Sequence, residues 1–127
     1  MTLQTVPSAR TRRTETPNAT MTTLASPSLG DTEGLSLWVV EMSAGARGPR
    51  HVVDSEQLWT LVSGELIIDG EGETAALRPG DTAVLPAGAE RQISAPAQAR
   101  ALVCGHGAAV VRVVGETSDR GTPAWIA

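Results

Sequence analysis

The chain has 127 residues, the length of one domain, and carries 10 basic against 14 acidic side chains, a net charge of −4. All the basic residues are arginines and no lysine, tyrosine or phenylalanine occurs, which excludes Schiff-base chemistry, a lysine-headed phosphate loop and acid catalysis by tyrosine. The acidic balance argues against a nucleic-acid partner. The missing residue types have AT-rich codons, so we infer a GC-rich bacterial source.

Cysteine usage and hydropathy indicate a cytoplasmic protein. The single thiol, Cys104, cannot form an internal disulfide or build a zinc cluster alone, which fits a reducing compartment. No apolar run has the length of a signal peptide, and none approaches the roughly 20 residues of a membrane span. We therefore expect an intracellular protein that has no membrane partner.

Residues 1–30 are dominated by Thr, Ser, Pro and Ala and show neither a helical nor an alternating apolar period. Such a segment cannot offset the entropy cost of ordering itself. We expect a disordered tail over residues 1–30, followed by a single domain over residues 31–127. Met1 and Met21 are both possible starts of the chain.

From Gly34 onward, short apolar runs are interrupted by Gly, Pro and Asp at intervals of about 6–10 residues, a spacing that predicts an all-β barrel or sandwich. The apolar end of the chain, Pro123–Ala127, is expected to dock on the barrel or on a second subunit. The predicted strands are Leu35–Met42, Arg50–Val53, Gln57–Val62, Glu65–Asp69, Thr74–Leu77, Thr82–Leu85, Arg91–Ser94, Ala99–Cys104 and Ala108–Val114.

Two stretches of fixed spacing carry the most specific signal. In the first, Gly45 is followed after five residues by His51-Val52-Val53, after three more by Gln57, and after six more by Gly64. Each glycine falls at a predicted turn, where a positive φ or a close backbone approach is needed. The glycines are therefore interpreted as scaffold.

In the second stretch, Gly80 is followed after five residues by Pro86-Ala87-Gly88, after two more by Arg91, and after three more by Ala95. With these two motifs the chain resembles the cupin superfamily, over roughly residues 35–114. The resemblance implies a small single-domain cupin: a double-stranded β-helix, or jelly-roll barrel, with a pocket inside it. Many small cupins are dimers, so a homodimer is expected.

The resemblance also assigns the family's four metal-ligand positions, to His51, Val53, Gln57 and Arg91. Valine has no electron pair to donate, and arginine stays protonated with no acceptor to offer. We therefore predict no cofactor and consider a divalent metal improbable; a metal, if present, would use His51 and Gln57. A nonstandard site that joins His51 to the nearby pair Cys104 and His106 is an alternative.

Strand alternation predicts which of these side chains share a pocket. An apolar wall would consist of Val53, Trp59, Leu61 and Ile93. His51, Gln57 and Arg91 would then be the convergent polar groups of a small-molecule site. In this arrangement Arg91 anchors an anion or a developing oxyanion. Its charge lowers the pKa of His51 so that the neutral imidazole acts as general base, and Gln57 orients the imidazole or a substrate carbonyl.

The favoured hypothesis is a metal-independent tailoring enzyme of secondary metabolism that performs proton transfer in a cyclisation, isomerisation or dehydration. The superfamily includes metal-independent sugar-nucleotide epimerases and cyclases of bacterial polyketide pathways, and the chain looks like a short relative of these. A non-catalytic ligand-binding or sensor cupin is the main alternative. In purely structural readings, His51 is a hydrogen-bonded interior residue, Trp59 is core, and Arg91 forms an ion pair with Glu56, Glu90 or Asp54.

Overall fold

The computed structural model describes residues 2–127, and these form one 3-10 turn, Ser8–Arg10, and eleven strands. The strands are β1 (Arg12–Glu15), β2 (Thr20–Ala25), β3 (Leu35–Met42), β4 (His51–Val53), β5 (Gln57–Gly64), β6 (Leu66–Asp69), β7 (Thr74–Leu77), β8 (Thr82–Leu85), β9 (Glu90–Ser94), β10 (Ala99–His106) and β11 (Val111–Val113). None of the described residues belongs to a helix long and apolar enough to cross a membrane.

The strands form two antiparallel sheets, a six-stranded one in the order β1-β2-β3-β10-β5-β8 and a five-stranded one in the order β11-β4-β9-β6-β7. Every second side chain of β5 is buried up to Leu61, because one face of the sheet packs on the core while the other faces solvent. The predicted all-β jelly-roll barrel is therefore confirmed. The bounds of β3, β7 and β8 are those predicted, and β10 continues two residues further, to His106.

The amino-terminal segment is ordered where the sequence predicts a disordered tail. Strand β2 pairs with β3, with Met21 opposite Val40, and β1 pairs with β2. Thr23 is buried, and its Oγ1 donates a hydrogen bond to the Trp125 carbonyl at 2.6 Å across 102 positions of sequence. The prediction of disorder is thus wrong for residues 12–25. The sequence pattern does not show this order because the partner of the Thr23 hydroxyl lies at the far end of the chain.

The carboxy-terminal segment docks on the barrel, as expected. The main-chain oxygen of Ala127 accepts hydrogen bonds from Ser26 Oγ at 2.8 Å and from Arg12 Nη2 at 3.1 Å. Ile126 is buried among the core side chains. The last residues therefore close the barrel wall beside β2.

The motif glycines take the backbone conformation expected of them. Gly45, Gly64, Gly80 and Gly88 all have φ between +79° and +94°, the left-handed region that a side chain disfavours. Gly64 also makes a close approach, since a Cβ atom there would lie 1.7 Å from the carbonyl oxygen of Gln98. The first motif thus ends at a glycine for two separate steric reasons.

Candidate active site

A cavity of about 460 Å³ lies inside the barrel, lined by strands of both sheets and by the two terminal segments. Its volume is in the range of small-molecule sites, which are mostly apolar with a few polar groups. Most of the lining residues are apolar, among them Met21, Trp38, Val40, Met42, Val53, Trp59, Ile93, Val111, Trp125 and Ile126. The polar side chains that line it include those of His51 and Gln57, from the strands, and Arg120, from the loop after β11.

Five of the seven predicted site residues line the cavity: His51, Val53, Gln57, Trp59 and Ile93. The remaining two do not. Leu61 faces inward, as the alternation predicts, but it is wholly enclosed in the core. Arg91 is buried behind Gln57 instead of lining the cavity.

His51 has the geometry of a base. It lies in β4 between β9 and β11, opposite Arg91 on one side and Val113 on the other. Its Nδ1 is 2.9 Å from the Pro49 carbonyl oxygen. A carbonyl only accepts, so Nδ1 carries the proton and the lone pair of the neutral ring is on Nε2. Nε2 makes no hydrogen bond with any residue from 2 to 127 and is free to accept a proton.

Burial lowers the pKa of His51 below its ordinary value of 6.5, since the charged imidazolium loses hydration. The hydrogen bond to Pro49 opposes this shift, and the positive charges of Arg91 and Arg120 add to it. The predicted direction is thus confirmed, but burial is a larger cause than the neighbouring cation. The ring is neutral at pH 7, the form a general base needs.

The lowered pKa of His51 predicts how the unfolding free energy of the protein depends on pH. Because the pKa of His51 is lowered in the folded state, its contribution is fully present above 6.5 and is lost as pH falls through the folded-state value. The His51→Gln variant lacks this loss, so its unfolding free energy should improve relative to wild type between pH 7.5 and pH 5. Urea unfolding at both pH values measures the difference, with exposed His106→Gln as the control. A gap between wild type and His51→Gln that does not change with pH would contradict the prediction.

Gln57 is buried, and its Oε1 accepts two hydrogen bonds, from Trp59 Nε1 at 3.2 Å and from Arg91 Nη1 at 3.4 Å. Gly105 of β10 leaves room for it, since a Cβ at that position would be 3.2 Å from Gln57 Cγ. The expectation that this buried amide has a partner is confirmed. The amide is held against the wall and does not contact His51 through any hydrogen bond of the structure.

Arg91 is only 2% exposed, yet it bonds neutral groups only. Besides Gln57, it donates from Nε to the Ala89 carbonyl at 2.9 Å and from Nη2 to the Pro86 carbonyl at 3.3 Å. Within residues 2–127, no carboxylate lies within 4.0 Å of its guanidinium; Glu90 pairs with Arg50 instead. Burial lowers the pKa of Arg91 to about 10, so it stays charged at pH 7. The ion-pair alternative is therefore wrong, and Arg91 is not among the residues that line the cavity.

The four positions do not fit a mononuclear metal centre. Val53 and Arg91 offer no electron pair, and Gln57 Oε1 is already an acceptor for two donors. Among the four positions, only His51 Nε2 has an electron pair that is free to bind a metal ion. In the part of the chain that the structure describes, no three His, Cys, Asp or Glu side chains cluster in a way that could hold a metal ion.

The alternative site built on Cys104 and His106 is also wrong. Gly105, between them, faces inward, towards Gln57 and Trp38. Alternation along β10 therefore directs the side chains of Cys104 and His106 to the outer face of the barrel, and His106 is exposed. They cannot join His51 in one site.

Several residues that line the cavity are not among the site residues predicted from the sequence. Trp38, Val40 and Met42 alternate along β3, and this period-2 pattern could have identified them as one inward face. Met21 and Trp125 belong to segments that reach the cavity only through long-range pairing. No local signal marks Met21, and the apolar composition around Trp125 indicates docking of that segment without placing it in the cavity wall.

Comparison with known proteins agrees with this architecture. The family model for the cupin domain matches residues 38–105, which is more than half of the chain and includes β4 and β5. The chain therefore belongs to the cupin family. None of the curated protein sequences matches it.

Solved structures of similar fold have low sequence identity. The polyketide cyclase RemF from Streptomyces resistomycificus is 20% identical with a TM-score of 0.75, over 93% of this chain and 89% of that one. An RmlC-like cupin from Shewanella frigidimarina is 18% identical with a TM-score of 0.69, over 81% and 92%. KdgF from Halomonas sp. is 21% identical with a TM-score of 0.70, over 83% and 94%. At these identities the likeness shows the shared fold.

Proposed function

We propose that this cupin is a metal-independent enzyme in which His51 is the general base of a proton transfer, of the kind used in cyclisation, isomerisation or dehydration. The observation that carries the proposal is the contact between His51 Nδ1 and the Pro49 carbonyl, which leaves Nε2 as the basic atom beside the cavity. The lowered pKa keeps this atom unprotonated at neutral pH.

The lining of the cavity supports a partly apolar, flat substrate that bears a carbonyl group. Trp38, Trp59 and Trp125 offer ring faces and edges, on which aromatic or conjugated molecules pack favourably. The likeness in fold to a polyketide cyclase is consistent with such a substrate. A polyketide-like or other conjugated ketone is therefore the proposed substrate class.

The proposed step is removal of a proton from the carbon next to the carbonyl. His51 Nε2 takes the proton, and the electron pair of the broken C–H bond moves to the carbonyl oxygen, which gives an enolate. Return of a proton from the imidazolium to a different atom isomerises the substrate. Alternatively, the enolate carbon attacks a second carbonyl of the same molecule and closes a ring; the π electrons of that carbonyl move to its oxygen, and the alkoxide takes the proton back from the imidazolium. Neither outcome needs a redox partner.

A model ketone tests this step without knowledge of the natural substrate. 2-Tetralone is small enough for the cavity, and exchange of its α-protons in D₂O can be followed by NMR, first without and then with EDTA. We expect the wild-type protein to accelerate exchange and His51→Gln to lower the accelerated rate by about 10²- to 10⁴-fold. The His106→Gln variant, which loses an exposed imidazole, should exchange at the wild-type rate.

The same experiment discriminates the alternatives. Binding of the ketone without accelerated exchange would favour a sensor or ligand-binding cupin. Exchange that His51→Gln leaves unchanged would rule out His51 as the base. Exchange that is lost on adding EDTA to wild type would contradict the metal-independent mechanism.

A further inference from the structure

The orientation of the Gln57 amide is fixed by its neighbours. Trp59 Nε1 and the Arg91 guanidinium are donors only, so the atom that faces both must be the amide oxygen. The amide nitrogen, Nε2, is then the branch that points away from them. It makes no hydrogen bond with any residue from 2 to 127, and it is not among the fully enclosed polar atoms that lack a partner. Two N–H groups of Gln57, which lines the cavity, are therefore free for a ligand.

The positively charged guanidinium of Arg91 lies next to the oxygen of this amide. Arg91 bonds the Gln57 oxygen and two main-chain carbonyls, none of which neutralises it. Arg120 also lines the cavity, but Glu116 holds its guanidinium at 2.7 Å. His51 completes the ionisable side chains that line the cavity, and it is neutral at pH 7. Among residues 2–127, the charge beside the Gln57 amide that no carboxylate compensates is thus that of Arg91.

We infer that Gln57 receives the carbonyl oxygen of the substrate through its Nε2 hydrogens, that Arg91 is a positioning residue which acts through Gln57, and that the site binds oxyanions, enolates or phenolates, in preference to their neutral forms. The inference rests on the proposed function for the source of the enolate. It assigns the oxyanion-stabilising role to an amide where the sequence suggested direct contact with a guanidinium.

Electrostatics explains why Gln57 would donate the hydrogen bond and Arg91 would act through it. When the proton moves from substrate carbon to His51 Nε2, negative charge develops on the substrate oxygen. A fixed N–H donor stabilises that charge more than it stabilises the neutral carbonyl, and removing one such donor typically costs about 10²- to 10³-fold in rate. Arg91 strengthens the effect, since a hydrogen bond to Oε1 polarises the amide and a buried cation acts over several ångströms in a low dielectric.

An ionisable probe tests the preference for oxyanions independently of catalysis. 4-Nitrophenol is coloured as the phenolate, so its ionisation can be titrated by absorbance, free and protein-bound, from pH 5 to pH 9. We expect the bound phenol to ionise at lower pH than the free phenol, with the phenolate bound about tenfold more tightly or better. Failure of the phenol to bind at millimolar concentration, or bound ionisation at an unchanged or higher pH, would overturn the inference.

Two variants assign the effect to the proposed groups. Gln57→Glu keeps an oxygen for Trp59 and Arg91 but replaces the free NH₂ by a second oxygen, so the phenolate preference should disappear. Gln98→Glu makes the same charge change at an exposed position and should titrate like wild type. A wild-type titration in Gln57→Glu would refute the role of Gln57.

Arg91 is tested by its charge. Arg91→Lys keeps a cation and should retain part of the preference, whereas Arg91→Met should lose it; circular dichroism verifies that each variant folds. If Arg91→Met folds and titrates like wild type, Arg91 has no part in the preference. Loss of ketone exchange in His51→Gln tests the proposed base, whereas loss of the titration shift in Gln57→Glu tests the oxyanion site, so failure of the one and failure of the other are distinguishable.

Discussion

Replacing Gly64 by alanine should destabilise the protein by about 4 kcal/mol or more, which is near the upper end of single substitutions. The new Cβ would lie 1.7 Å from the carbonyl oxygen of Gln98 and 2.9 Å from Ala99 Cα, both of which are backbone atoms. No side-chain rotation relieves such a clash. Gly64 pairs with Ala99 at the end of the β5–β10 ladder, so the backbone can move only by giving up that pairing.

A second glycine separates this clash from backbone strain. Gly80 has φ +94°, similar to φ +86° at Gly64, but a Cβ there meets no atom within 4 Å. Gly80→Ala should therefore cost only about 1–2 kcal/mol, the penalty of a left-handed alanine. Urea unfolding of both variants measures the contrast, and equal losses would show that the close approach to Gln98 does not govern stability.

Replacing Ile126 by alanine should cost about 2–5 kcal/mol, the usual range when a large aliphatic side chain is removed from a core. Ile126 is 2% exposed and belongs to the segment that Thr23 and Ser26 hold by hydrogen bonds. Because Ile126 also lines the cavity, its loss should weaken binding of 2-tetralone as well.

Val114→Ala is the matched control for Ile126→Ala. It removes branched aliphatic carbon from the same end of the chain, but Val114 is 41% exposed, so the loss should stay within about 0.5 kcal/mol. Equilibrium unfolding of the two variants measures how much more stability is lost at Ile126 than at Val114. If Ile126→Ala unfolds like Val114→Ala, the carboxy-terminal segment is not part of the stable core.

Much of the barrel can be predicted from the sequence, because the patterns that indicate its strands and turns are local. The strands β3, β7 and β8 were predicted to the residue from runs that end at turn-forming residues. The motif glycines carry the expected positive φ because the need for it is set by each turn. Alternation along β5 placed Gln57 and Trp59 correctly in the cavity wall.

Two errors show where local reasoning stops. Alternation puts Arg91 on the inward face, but it cannot say how a long side chain bends, and the guanidinium turns to the carbonyls of Pro86 and Ala89. The threonine-rich segment that forms β2 resembles a tail because its burial depends on Trp125. The first outcome is decided by the rotamer of one long side chain, and the second by a contact 102 positions away in sequence; the alternation pattern carries neither.

The hydrogen bond from Thr23 to the Trp125 carbonyl has a consequence for how the protein folds. It joins residues 102 positions apart, and Trp125 and Ile126 supply part of the cavity wall. Contacts of such separation carry a large loop-closure entropy and are associated with slow folding. The cavity wall is therefore complete only once the segment of Trp125 and Ile126 has docked beside β2, so ligand binding reports on this slow, long-range step of folding.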